Sequence, residues 1–206
     1  VGAVLLAANR AAAEVCIYFG GKLLRGNRST KVHTTDLAAF DSPNCDPLAT
    51  LNIYMSANRH MALSPLVRAF SLPDYDPNHV VVLSLFPGIQ ASMLAAIVEN
   101  TNPTGIVLES YGVGNVPDED AALMALIERE SNAGRIFINR TQCSKGRVYQ
   151  GAYATGAVLN SMGVVSAGDM TREAAFTKLH HLIASGLSAS EVRNKMGTSL
   201  CGELTE

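Results

Sequence analysis

Three short stretches carry side chains fit for chemistry. Arg25-Gly-Asn-Arg-Ser-Thr-Lys31 gathers three cations and two hydroxyls. It reads as a solvated basic loop, as a clamp for phosphate or carboxylate, or as the setting of a catalytic lysine. The last needs an ammonium drawn into a dry pocket, where lost hydration lowers its pKa and lets it accept a proton. Ser110-Tyr-Gly-Val-Gly-Asn115 offers Gly112 and Gly114 for a tight turn or close ligand approach, and an Asn115 amide that both donates and accepts. It lacks the third glycine of a dinucleotide fingerprint, so a plain turn competes with a binding site. Thr141-Gln-Cys143 closes a predicted strand. Cys143 there reads as a reduced, half-buried thiol rather than a nucleophile.

Other chemistries lack their residues. His180 and His181 are adjacent and would point apart on a helix. His33, His60 and His79 have no histidine or cysteine at ligand spacing, so no zinc or other metal site is expected. There is no G-x-S-x-G elbow and no P-loop. Met93, Met124, Met162 and Met196 read as core fillers.

The elements that must position these stretches follow from periodicity. The 206 residues are 48% hydrophobic and 17% charged, which excludes a wholly disordered chain. Sixteen Lys and Arg against 18 Asp and Glu leave a net charge of −2. That gives no pull toward nucleic acid or anionic lipid, and no apolar run reaches the ~20 residues of a membrane span. The four cysteines are far apart and read as reduced thiols of a cytoplasmic protein. Val1 to Ala13 reads as the middle or end of a helix without a cap, so the expectation is that chain is missing upstream.

A buried strand, Val15 to Phe19, is closed by Gly20-Gly21. The first 55 residues otherwise supply only a turn-rich wrap. From Val80 the pattern becomes regular. Val80–Phe86 is a near-continuous apolar run, expected of a strand buried on both faces. Strands are predicted again at Gly105–Glu109 and Arg135–Asn139, and a short one at Val164-Val165. Helices are predicted through Ile89–Val98, from Pro117 to Gly134, over Ala154–Met162, and around Ala175–Ile183. A last helix opens on the capping box Ser188-x-x-Glu191. Alternating strands and helices argue for a parallel sheet. The fold class is therefore α/β: the end of a larger catalytic α/β domain (1–56), a linker (57–78), and a small doubly wound, flavodoxin-like domain (79–206). Ligands in such sheets bind beyond the carboxyl ends of the strands, where the second and third stretches lie.

Several tags then fall into one order: Arg25–Lys31, Phe40-Asp-Ser-Pro-Asn44, Tyr111–Asn115, Thr141–Cys143, Gly151-x-Tyr-Ala-Thr155, Asp169-Met-Thr171 and Gly202-Glu-Leu-Thr205. From about Glu14 to Thr205 the chain resembles the C-terminal portion of type I, cytoplasmic L-asparaginases. The resemblance implies hydrolysis of L-asparagine to aspartate and ammonia through a threonine acyl-enzyme, no cofactor, and a homodimer or homotetramer. It implies that Lys31 helps deprotonate a threonine and that Asn115 meets the substrate's polar groups. The family's G-G-T-I and G-T-D-T segments, which carry the threonines and an aspartate, occur nowhere in these residues. The chain alone is therefore expected to be inactive. Some members bind a second asparagine, and the equivalent effector-site residues would be Thr30, Glu109, Thr141 and Cys143. Those members carry an arginine where Glu109 stands. A glutamate would repel the effector's carboxylate, so a hyperbolic rate curve is expected. Two other readings are a non-catalytic amino-acid-binding domain and the ammonia-releasing subunit of a tRNA-dependent amidotransferase. The near-neutral C-terminus argues against the latter.

Overall fold

The computed structural model describes residues 1–206 except 10–11, 66–70, 78 and 152–153, and except the side chains of 154–156. Tyr153 and Thr155 of the fifth tag, and part of the predicted linker, thus lie outside the described residues. The chain divides into two compact units, Val1–Ser71 with Cys201–Glu203, and Leu72–Leu200 with Leu204–Glu206.

The first unit is richer in strands than its sequence pattern predicts. After helix α1 (Gly2–Ala8) come β1 (Cys16–Phe19) and β2 (Lys22–Arg25). They pair antiparallel with Phe19 opposite Lys22, which leaves Gly20-Gly21 as a two-residue turn. Both glycines sit at positive φ, 54° and 76°. A turn with two such residues matches the right-handed twist of a hairpin, and glycine adopts it without a steric cost. Strands β5 (Ala49–Leu51) and β6 (Met55–Ala57) extend this sheet in the order β1-β2-β5-β6. Leu6, Leu23, Leu48 and Ala49 form its core. A separate ribbon joins β3 (Thr30–Lys31) to β4 (Phe40–Asp41). The expectation of one strand in this region is therefore corrected. Strands of two to four residues are too short for alternation to register against the surrounding turns. The expected burial of the first strand is corrected too, since every residue of β1 is only half-buried.

The second unit holds four parallel strands: β7 (Val80–Ser84), β8 (Gly105–Ser110), β9 (Ile136–Thr141) and β10 (Val165–Ser166). They lie side by side in chain order. Crossovers that advance in one direction with one hand place their helices on one face. Helices α2 (Ala91–Thr101), α3 (Ala121–Asn132) and α4 (Ala154–Ser161) do so, over a core that includes Leu94, Ile127, Phe137 and Leu159. The opposite face is covered by α5 (Arg172–Ala184) and α6 (Ala189–Met196), through Val107, Ile138, Leu179, Val192 and Met196. Helices thus cover both faces without any reversal of strand order.

The helix starts are specified locally. Asp120 Oδ1 accepts from the Leu123 amide at 3.0 Å, and Thr171 caps α5 through the Ala174 amide at 3.1 Å. Ser188 and Glu191 form the expected capping box. β7 departs from its prediction. Only Val80 is buried, while Val82 and Ser84 are exposed. As an edge strand paired to β8 alone, it shows one side to solvent. Met93 is likewise exposed, on the outer face of α2, whereas Met124 and Met196 are buried as expected. The expectation that His180 and His181 point apart is corrected, because both rings lie against Tyr75, at 5.1 and 6.4 Å between centroids. His180 Nε2 donates to the Asp76 carbonyl at 2.9 Å, and His181 Nδ1 lies 3.0 Å from the Tyr75 hydroxyl.

Candidate functional site

The Arg25–Lys31 stretch is not a solvated loop. Arg25, Arg28 and Ser29 are buried, with Arg28 only 3% exposed. Arg25 donates to both carboxylate oxygens of Glu14 and to the carbonyls of Met61 and Gly202. Arg28 donates to the carbonyls of Asn44 at 2.6 Å and Glu203 at 2.9 Å. A guanidinium has five donors in a rigid fork, so it can serve several carbonyls that lie outside the short strands of this unit. Ser42 Oγ donates to the Arg28 carbonyl, and Ser29 Oγ to that of Arg25. The two arginines are therefore structural, and they anchor the backbone that runs directly into Thr30 and Lys31.

Lys31 itself is exposed on the β3–β4 ribbon. Its register partner is Phe40, and its Nζ stands 5.9 Å from that ring's centroid. The predicted dry pocket is thus corrected: the described residues leave this face of the ribbon open to water. A cavity of about 420 Å³ in the same unit, lined by Glu14, Arg25, Asn27, Leu63 and Cys201 among others, does not include Lys31.

In the second unit, the Tyr111–Asn115 turn is held at every carbonyl. The amides of Gly114 and Asn115 donate to Tyr111 O, the Tyr149 amide to Val113 O, and the Tyr111 amide to Asn115 O. Thr141 Oγ1 donates to Gly112 O, and Asn139 Nδ2 to Gly114 O at 3.0 Å. Gly114 sits at φ +115°, and a Cβ there would stand 2.7 Å from Val148 Cγ1 and 3.0 Å from Asn139 Nδ2. A side chain would thus meet both backbone strain and a clash. Asn115 therefore projects from a rigid frame and is half-buried.

The other predicted residues separate. Glu109 and Thr141 end neighbouring strands but serve different partners. Glu109 is fully buried. It accepts from Arg140 at 3.0 Å, from Arg172 Nε at 2.7 Å, and from the Ser84 hydroxyl. Burial alone would raise its carboxyl. Hydrogen bonds from Arg172 and Ser84, with the two guanidinium charges, outweigh that and hold it below the usual carboxylate range. The expected bare, repelling glutamate is thus corrected, because both its oxygens are committed to protein donors. Thr141 is buried beneath the turn, and the Cys143 amide donates to its hydroxyl at 3.1 Å. Cys143 is exposed rather than half-buried, because it lies past the end of β9. Thr30 is half-buried in the first unit beside Lys31.

Sequence reasoning missed Asn139, Arg140 and Arg172, and gave no role to Ser110 at the head of the second stretch. One signal was present: Asn139 and Arg140 follow directly on the apolar Ile136-Phe-Ile138. Polar groups inside an otherwise apolar strand need partners, and so mark a network.

Two family models match the chain. One is described as "Asparaginase, N-terminal" and covers residues 1–63. The other, "Glutaminase/Asparaginase C-terminal domain", covers residues 79–196. The chain is 37% identical to L-asparaginase 1 of Escherichia coli K12 over 208 aligned positions, taking in 100% of the chain and 60% of that relative. It is 36% identical to a 60 kDa lysophospholipase of Mus musculus, over 100% of the chain and 36% of that protein. The solved structure of L-asparaginase I from Vibrio cholerae superposes with a TM-score of 0.88 at 36% identity, covering 99% of this chain and 63% of that one. The chain thus spans about 60% of the length of the bacterial relative.

Proposed function

The chain belongs to the asparaginase and glutaminase family, and from that premise we propose that it is the C-terminal part of a cytoplasmic L-asparaginase. The likeness to asparaginases over the full span of this chain supports this reading, and Lys31 and Asn115 each lie next to backbone held by side-chain hydrogen bonds. In the proposed reaction a threonine hydroxyl, from the segment that holds the family's G-G-T-I and G-T-D-T motifs, attacks the side-chain amide carbon of asparagine. The C–N bond breaks, and ammonia leaves with a proton. Water then attacks the ester, releasing aspartate and restoring the threonine. Lys31, exposed among the described residues, is the catalytic residue of this chain and assists the threonine's proton transfer once the threonine-bearing segment packs over its ammonium and strips its water. Asn115 binds the substrate's polar groups. The protein works without a cofactor, as a homodimer or homotetramer. With both Glu109 oxygens occupied, Thr30, Glu109, Thr141 and Cys143 hold no second asparagine, and the rate curve is hyperbolic.

Ammonia release tests this reading, with asparagine, glutamine and a lysophospholipid offered in parallel. The 206-residue chain alone is expected to be inert. Joined to the threonine-bearing segment, it is expected to release ammonia from asparagine with a hyperbolic dependence. Turnover by the chain alone that vanishes on Lys31→Ala would refute the proposal, as would fatty-acid release without ammonia.

A further inference from the structure

We infer that Asn139 is a positioning residue: by holding the Gly114 carbonyl, it fixes the backbone from which Asn115 offers its amide to the substrate. The inference rests on the reading of Asn115 as a substrate contact.

Asn139 is fully buried in β9, with Leu108 as its register partner. A leucine, with the same branching of heavy atoms, would suit a core strand better, because an amide buried without partners costs free energy. This amide has both partners. Ser110 Oγ donates to its Oδ1 at 2.6 Å, and its Nδ2 donates to Gly114 O at 3.0 Å. The orientation is determined. A flipped amide would set its oxygen against the Gly114 carbonyl oxygen, two acceptors without a proton between them.

The bond falls at the decisive place in the turn. Three of the five carbonyls of Tyr111–Asn115 are held by backbone amides, and Gly112 O is held by Thr141. Asn139 supplies the remaining one, immediately before Asn115. The absence of a Cβ at Gly114 lets the Asn139 amide come that close. Without this bond, the peptide joining Gly114 to Asn115 keeps only the bond from its Asn115 amide to Tyr111 O, so it is held at one end rather than two and can tilt, taking the Asn115 side chain with it.

The test is a double-mutant cycle on asparagine hydrolysis by the full-length protein. Asn139→Asp keeps size, shape and the acceptor for Ser110, and in its ionised form turns a charged acceptor toward Gly114 in place of the donor; Asn139→Leu, which removes the donor without adding a charge, runs beside it as the uncharged counterpart. Asn115→Ala removes the substrate contact. Each single change is expected to raise KM by about tenfold, the order of loss that a small misplacement of a binding group brings, with a smaller change in kcat. The pair acts as one unit, so the double variant is expected to match Asn115→Ala alone, with KM still raised by about tenfold. A merely structural Asn139 would instead multiply the two effects, and that outcome would overturn the inference. So would an unchanged KM in a folded Asn139→Asp. If that variant does not fold, Ser110→Ala takes its place, because it frees the amide that Asn139 presents. It is expected to raise KM about threefold, the worth of one neutral hydrogen bond, and only where Asn115 is intact. A parent protein inert toward asparagine overturns the reading of function and this inference with it. An active parent with multiplying effects overturns this inference alone.

Discussion

Lys31→Met in the full-length protein is expected to lower kcat on asparagine by about a thousandfold, the usual weight of a positioned proton-transfer group. Stability should hardly change. Lys31 is exposed, and its contact with the Phe40 ring, at 5.9 Å, is a cation–π contact. Such a contact at an exposed site is worth about 0.5–1 kcal/mol. The loss therefore lies in chemistry rather than folding, and a thermal melt beside the kinetics separates the two. Lys31→Arg is expected to fail as badly. A guanidinium stays protonated, and its fork does not occupy the place of an ammonium. If Lys31→Met retains most of its kcat, the lysine has no part in proton transfer.

Glu109→Gln is expected to destabilise the second unit by about 3 kcal/mol, the order found when one partner of a buried ion pair is removed. The cost arises at Arg140, whose side chain is 11% exposed and would keep its charge without a counter-ion. Arg172 contributes less, because its side chain is 57% exposed and can turn to water. For a chain of this size, the melting temperature should fall by roughly 6–12 °C. Replacing the pair together, as Glu109→Leu with Arg140→Met, should recover most of that loss. The pH dependence has a definite sign. Glu109 is held below its unfolded carboxyl value of about 4.3. Its contribution is therefore complete above that value and disappears as the pH falls through the lower, folded one. Acid melts of Glu109→Gln should lack that component. A drop in melting temperature too small to measure would show that Arg140 finds water in the folded protein.

The parts of the fold legible in the sequence were those with long, regular patterns. β8 and β9 contain the apolar stretches Ile106-Val-Leu108 and Ile136-Phe-Ile138, and α3 and α5 carry clear apolar faces. Ser188 and Glu191 announce a helix start by their chemistry alone. The first unit was not legible because β3 to β6 are two or three residues long. Its arginines misled for a related reason. Composition marks Arg25 and Arg28 as surface cations, whereas the fold needs them to satisfy buried carbonyls that lie far away in sequence. Among the site residues, Lys31 and Asn115 were candidates by the chemistry of their stretches, one reading among several, and only the family tags gave each a role. Glu109 was read as a bare charge because its partners Arg140 and Arg172 lie 31 and 63 residues away. Asn139 was visible as an amide in an apolar strand, but its purpose emerges only once β8, β9 and the glycine turn lie side by side.

The most direct test of the threonine ester is competition between water and hydroxylamine during asparagine turnover by the full-length protein. An ester intermediate partitions between the two nucleophiles, so aspartyl hydroxamate should accumulate at the expense of aspartate while ammonia release continues. Lys31→Met should form neither product at a comparable rate. Ammonia release with no hydroxamate at any hydroxylamine concentration would contradict the account, since it would mean that water attacks asparagine directly.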